Sequence, residues 1–199
     1  MNIFYTNKNP IVCADEHCII HTRKMIVEYT QLLSTCKRLN NGIKSIVVRK
    51  GRRKVYYRLD NFDDDDLFYQ ATHVNHPSNI WLRDYTPEST KWLVTVLNRL
   101  CDNFYSNSGK RHKIQHTGLL DRLIEEYGII EDCNNHDTFS IIPEPPVAAP
   151  EHIIEYSKKT SKTQAYKKLI CEKLTEWRER EKPLDTSFYQ EPEWFSFQN

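Results

Sequence analysis

The sequence predicts a mainly α protein: a single compact helical domain over residues 1–199 with one small basic β-hairpin. Three observations carry that reading. Apolar residues recur at helical spacing, as in Trp92, Leu93, Val96, Leu97, Leu100 and Phe104. Cap and stop residues bracket those stretches, as in Asn9-Pro10, Thr86-Pro87-Glu88 and Ser108-Gly109. One segment, 43–59, reads as two β-rich runs around a Lys50-Gly51 turn.

Residues 1–8 read as a short strand or an ordered extension. Asn9 caps a first helix with Pro10 in its first turn, and that helix runs to about Leu39, with a bend allowed near Asp15, before Asn40-Asn41-Gly42 ends it. Asp63-Asp64-Asp65-Asp66 follows the hairpin and suits either a helix start or pairing with the hairpin cations. Pro77 opens a short helix that puts Trp81 and Arg83 near its end. A long helix follows from Thr86-Pro87-Glu88, and another runs from Ile114 to Tyr127 and stops at Gly128. Residues 131–150 form a Pro-rich loop through Pro143, Pro145, Pro146 and Pro150. Helix propensity returns at Glu151. Ser161 to Glu181 has Ala165, Leu169, Ile170, Leu174 and Trp177 inward. The segment 183–199, with Trp194, Phe195 and Phe197, is too aromatic to stay free and is expected to pack back.

The chain has 28 Lys and Arg against 27 Asp and Glu, so any affinity for nucleic acid must come from local clustering. No apolar run approaches a membrane span and the N-terminal residues lack a signal-peptide core, which predicts a cytoplasmic protein with no membrane partner. The six cysteines contain no C-x-x-C pair and read as free thiols of a reducing compartment. There is no P-loop, G-x-G-x-x-G, H-E-x-x-H or G-x-S-x-G signature. His17 and His21 have metal-compatible spacing, and His73, His76, His112, His116 or Glu28 could add ligands, but with no cysteine cluster no metal or cofactor is assigned.

The chemistry-bearing pattern lies on the first helix. At about 100° per residue, His17, His21, Lys24, Glu28, Gln31 and Thr35 fall within roughly 40° of one line. Met25, Tyr29, Leu32, Leu33, Cys36 and Leu39 flank it on one side, Ile20 and Val27 on the other, while Glu16, Arg23, Thr30, Ser34 and Lys37 form a second, solvated polar face. A polar line between apolar flanks is expected to face a cleft. Lys24 is then the candidate amine nucleophile, Glu28 its acid/base or charge partner, and His17 and His21 orienting groups. Gln31, His76, Trp81 and Arg83 are the candidate substrate contacts. An ordinary solvated stripe with a Lys24–Glu28 ion pair is the competing reading. Residues 43–59 hold seven cations and no acid, with Tyr56 and Tyr57 interleaved. Arg49, Lys50, Arg52, Arg53 and Lys54, with Lys110, Arg111 and Lys113, are therefore the candidate DNA-phosphate contacts; a hairpin kept soluble by charge is the alternative.

Asp15, His17, Lys24-Met25, Gln31-Leu32-Leu33, His76-Pro77-Ser78, Trp81, Arg83 and Pro192-Glu193-Trp194 together resemble a pattern found in small phage-type helical proteins. The order of elements is similar to the pyrimidine-dimer DNA glycosylases of the endonuclease V type. That resemblance implies a compact helical enzyme that excises damaged or modified pyrimidines from DNA through an imine. The family's nucleophile is an N-terminal amine freed by loss of methionine, whereas here bulky Asn2 is expected to retain Met1. Lys24 stands at the family's glutamate spacing, so the amine role would pass to Lys24. The expected function is base excision on DNA. The alternatives are a nucleotide or modified-base processing enzyme, metal-dependent or not, and a non-catalytic phage factor that binds DNA or a host protein.

Overall fold

Asn9 begins the ordered helical body as expected: its side chain accepts from the backbone N–H groups of Ile11 and Val12, and Pro10 occupies the first turn. The computed structural model describes residues 2–85, 87–133, 139 and 141–196, with the side chains of Arg49 and Ser196 left aside. Thr86, part of the 131–150 loop and Phe197 thus lie outside the described residues. Among those described there are ten helices and one antiparallel hairpin: α1 (Pro10–Asp15), α2 (Ile19–Asn41), β1 (Ile43–Arg49), β2 (Arg52–Arg58), α3 (Phe62–Leu67), α4 (Pro77–Asp84), α5 (Glu88–Ser108), α6 (Lys113–His116), α7 (Leu119–Tyr127), α8 (Glu151–Lys159), α9 (Lys162–Arg178) and α10 (Glu193–Ser196). No described helix is long and apolar enough to cross a membrane.

The long helices α2 and α5 pack on each other, α1 lies along α5, and α8 pairs with α9. The core between them holds Met25, Tyr29, Leu32 and Leu33 of α2 against Trp92, Leu93, Val96 and Leu100 of α5. The extension before α1 belongs to that core, since Ile3, Phe4 and Tyr5 are almost fully buried and the Trp92 indole N–H donates to the Lys8 carbonyl. On the far side, Ala165, Leu169, Ile170, Leu174 and Trp177 of α9 point inward, with Ser161 as its N-cap. The tail packs back: Cys18 and Phe188 form a β-bridge, and Phe195 is buried.

Two helices differ from expectation. The first is broken over Glu16–Cys18 rather than continuous: α1 stops with Glu16 as its C-cap, and α2 starts after Cys18 in an extended conformation. The second, expected from Ile114 to Tyr127, is split because Gly118 takes a left-handed conformation (φ 77°) and restarts the chain as α7.

Arg38 fixes the hairpin to this body. The residue is fully buried. Its guanidinium donates to the carbonyls of Tyr57 (2.7 Å), Tyr69 (2.7 Å), Phe68 (2.8 Å) and Asp65 (2.6 Å), and to the Asp65 carboxylate. Asp65 also accepts from Arg58 and from the Leu59 N–H. The acidic run therefore does both things expected of it: it opens α3 behind the Asn61 cap, and Asp65 clamps the hairpin root. The chain must pass close to this clamp, and a Cβ at Gly42 would lie 2.4 Å from the Arg38 carbonyl oxygen.

Candidate functional site

The hairpin extends from the clamp as a two-stranded ribbon turned by Lys50 and Gly51, both at positive φ (50° and 73°). That mirror-image turn suits the twist of the strands. Register pairs Ile43 with Arg58, Ser45 with Tyr56 and Val47 with Lys54 on one face, and Lys44 with Tyr57, Ile46 with Val55 and Val48 with Arg53 on the other. Both faces are open. Lys44, Lys50, Arg52, Arg53 and Lys54 are exposed, and none forms an ion pair among the described residues. Lys54 and Arg58 stand over the Tyr56 ring at 5.0 and 5.3 Å from its centroid. The second face carries Ile46, Val48 and Val55, exposed by 56%, 65% and 43%, beside Lys44 and Arg53. Lys110, Arg111 and Lys113 are exposed around the α5–α6 turn, and Lys113 shares a recess with Phe62, Asp63 and Asp66 of α3 next to the hairpin root.

The line of polar residues on the first helix does not face one cleft. His17 and His21 are buried in the core, their rings stacked at 4.8 Å, with Phe4 edge-on to His21 at 4.2 Å and the Trp177 ring tilted against it at 6.0 Å. The Nδ1 of His17 lies 2.8 Å from the Cys13 carbonyl oxygen, which makes it the protonated nitrogen of a neutral ring. Burial pushes the His17 pKa down to about 4 and that of His21 well below its usual value, so both imidazoles stay neutral. His17 lies outside α2 because the helix breaks beneath it. Lys24, by contrast, is half exposed and sits 3.6 Å from Glu28. Its neighbours around an open recess of about 480 Å³ are Ile20, Arg23, Trp177, Arg180 and Leu184. The amine and the imidazoles thus occupy opposite environments.

Neither polar face of the first two helices lies wholly in water or wholly in the core. Thr30 and Ser34, expected in water, are fully buried, whereas Val27, expected as a cleft wall, is 45% exposed. A threonine hydroxyl can turn back on its own helix, and that of Thr30 donates to the Ile26 carbonyl at 2.7 Å. Small side chains of this kind let a neighbouring element approach closely. From that face, Arg23 stays exposed and Lys37 pairs with Glu126 at 2.6 Å.

The C-terminal half of the line meets the loop 70–76. The Gln31 amide donates to the Gln70 carbonyl, and Thr35 bonds Thr72. Arg83 donates to the Val74 carbonyl, and His76 caps α4 by accepting from the Ser78 N–H. Burial lowers the His76 pKa, with His73 adding to that and Glu28 opposing it. Gln31, His76 and Arg83 are therefore engaged in holding this loop, with Glu28 nearby. Trp81 is a core residue, 4% exposed, whose N–H donates to the Pro143 carbonyl. The thiols of Cys13, Cys18, Cys36 and Cys101 are buried, and burial pushes those of Cys13 and Cys18 up to about 11, so they are not nucleophiles. Among the described residues no three His, Cys, Asp or Glu side chains come together as a metal site.

Sequence reasoning missed Arg38 and Glu16. The first has partners spread over residues 57–69, and only the aspartate run hinted at it. The second was read as solvated and is nine-tenths buried. No protein-family model matches the chain, and no match was found among curated proteins or solved structures.

Proposed function

We propose that the chain binds DNA through the β1–β2 hairpin. The observation that carries this reading is the set of exposed cations, Lys44, Lys50, Arg52, Arg53 and Lys54, which form no ion pair among the described residues, on a ribbon clamped to an acid at its root. A charge held for stability is paired, as Arg38 and Arg122 are. A charge left bare beside other cations costs self-repulsion and is relieved by phosphate, which also releases counterions. A two-stranded ribbon fits the major groove, where the Ile46, Val48 and Val55 face would meet thymine methyl groups and the cations the flanking backbones. Lys110, Arg111 and Lys113 supply a second anchor. The test is duplex binding measured against salt concentration. Replacing Arg52, Arg53 and Lys54 together by alanine is expected to flatten the log–log slope by about 3, one for each lost phosphate contact. An unchanged slope removes the reading and leaves the hairpin as a protein-binding element.

A second reading, base excision, is favoured by one observation: Lys24 and the Trp177 ring share the wall of an open recess one turn from Glu28. An unstacked base would lie against the indole while the Lys24 amine displaced it from C1′, the C1′–N bond breaking as the base leaves, Glu28 holding the developing positive charge and taking the amine proton, and the sugar ring then opening to give the imine of C1′ with Lys24. His17 and His21 have no part in it. Borohydride reduction on damaged-pyrimidine duplexes would trap the imine; an undiminished adduct in Lys24→Ala, or none with the unaltered chain, excludes it.

A further inference from the structure

The two long edges of the hairpin are not equivalent. Lys50 and Gly51 make a two-residue turn, so Arg49 and Arg52 form its closing hydrogen-bonded pair. The ladder alternates from there. Lys44, Ile46 and Val48 on β1, and Arg53, Val55 and Tyr57 on β2, therefore turn their backbone N–H and C=O groups away from the ribbon. The β2 edge is closed at its root, where the Tyr57 carbonyl accepts from Arg38 at 2.7 Å. Farther out that strand is crowded with Arg52, Arg53 and Lys54. The outward groups of β1 meet no partner among the described residues, and no further strand joins the sheet there.

An open edge of this kind is normally blunted by a bulge, a proline or a central charge. The β1 strand has none of these: its register with β2 runs unbroken, and residues 45–48 carry no charge. Ile43, Ile46, Val47 and Val48 are each at least 40% exposed. A ribbon of two strands is marginal in water by itself, and added strands are what stabilise it.

The charge pattern selects the added strands. The ribbon is basic toward its tip, at Lys50, Arg52, Arg53 and Lys54. Its root adjoins Asp60, Asp63 and Asp66, which are exposed and form no ion pair among the described residues. A second copy laid antiparallel along β1 carries each basic tip toward the other copy's acidic root. It also keeps the two helical bodies at opposite ends of the paired strands. A two-fold axis at Ile46 uses the whole of β1 and sets Lys44 against Val48 of the other copy, so the ammonium groups do not face each other. Two bonds at each outward pair make about six across the axis.

We propose that the chain self-associates through β1, two hairpins joining antiparallel into one four-stranded sheet with the β1 strands at its centre. The cations of β2 stay on the outer edges, and the proposal does not rest on the reading of the hairpin as a DNA contact. The test is sedimentation velocity of the intact chain, without nucleic acid, from about 1 to about 200 µM, where a monomer–dimer equilibrium is expected. Ile46→Lys brings two ammonium groups together on the axis and should weaken the dimer roughly tenfold or more. Val55→Lys puts the same charge on the same face of the outer strand and should leave it within about threefold. Both positions are exposed, so the fold tolerates either change. In the unaltered chain, the amides of Lys44, Ile46 and Val48 should gain hydrogen-exchange protection as concentration rises, while those of Arg53 and Val55 should not. A chain that stays monomeric throughout, a dimer weakened equally by both variants or by neither, or protection confined to other residues overturns the proposal.

Discussion

Arg38 and the cations of the hairpin belong to adjoining parts of one structure and are treated in opposite ways. Arg38 is out of water, and its five donor contacts end on carbonyls and a carboxylate. Lys50, Arg52, Arg53 and Lys54 are exposed and pair with no acid among the described residues. The first arrangement makes a joint: it ties α2 to the end of β2, to α3 and to residues 68–69. The second adds nothing comparable to the fold. The contrast separates a cation that builds the protein from cations left available to something outside it.

Four measurements can break or sharpen that contrast. The largest effect belongs to Arg38→Leu, which takes the buried donor from four carbonyls and leaves the Asp65 carboxylate only Arg58 and the Leu59 N–H. A loss of about 3–5 kcal/mol in denaturant unfolding is expected. A loss below about 1 kcal/mol would mean the clamp is dispensable.

Acid comes next. The folded His17 and His21 resist protonation, so the unfolded chain binds more protons once pH falls below about 6.5. Stability is full above that value and drops by a few kcal/mol as pH falls toward 4, where His17 begins to charge in the folded state. Asp65 acts lower. Burial alone would raise its pKa, but Arg38, Arg58 and the Leu59 N–H hold it down to about 2, so its contribution is present above pH 3.8 and fades between 3.8 and 2. His21→Leu should flatten the upper limb and leave the lower one, as read by Tm against pH.

The combined Arg52→Ala, Arg53→Ala and Lys54→Ala change should leave stability within about 0.5 kcal/mol while reducing DNA binding. A loss of stability as large as that at Arg38 would erase the distinction between the two regions. Lys24→Ala is expected to cost the least, a few tenths of a kcal/mol, because its pair with Glu28 is half in solvent. A much larger cost in thermal unfolding would give that exposed amine a structural role.

The hairpin was legible in the sequence because β-branched residues, a Gly turn and charge coincide there, and the ends of α5 and α9 because Gly109 and Ser161 mark them. The wet side of α2 was not legible. Periodicity ranks residues by polarity, yet a neutral histidine packs as a flat apolar ring and a threonine can satisfy itself on its own helix, so His21 and Thr30 went inward while Val27 and Lys24 stayed out. The break at Glu16–Cys18 was legible only as a possible bend near Asp15, since the bonds that settle it, from the Ile19 N–H to the Ser187 carbonyl and across the Cys18–Phe188 bridge, come from residues far along the chain. The candidate site was legible to the same degree: composition located the bare cations, and only coordinates separated the Lys24 amine from the imidazoles.

The contact itself can be read directly by irradiating the chain with a duplex carrying iododeoxyuridine and identifying the crosslinked peptides by mass spectrometry. Adducts on residues 43–58, centred on Tyr56 and Tyr57, are predicted, and they should vanish as salt is raised. Adducts confined to other segments, or hairpin adducts indifferent to salt, would contradict the assignment of the ribbon as the face that meets DNA.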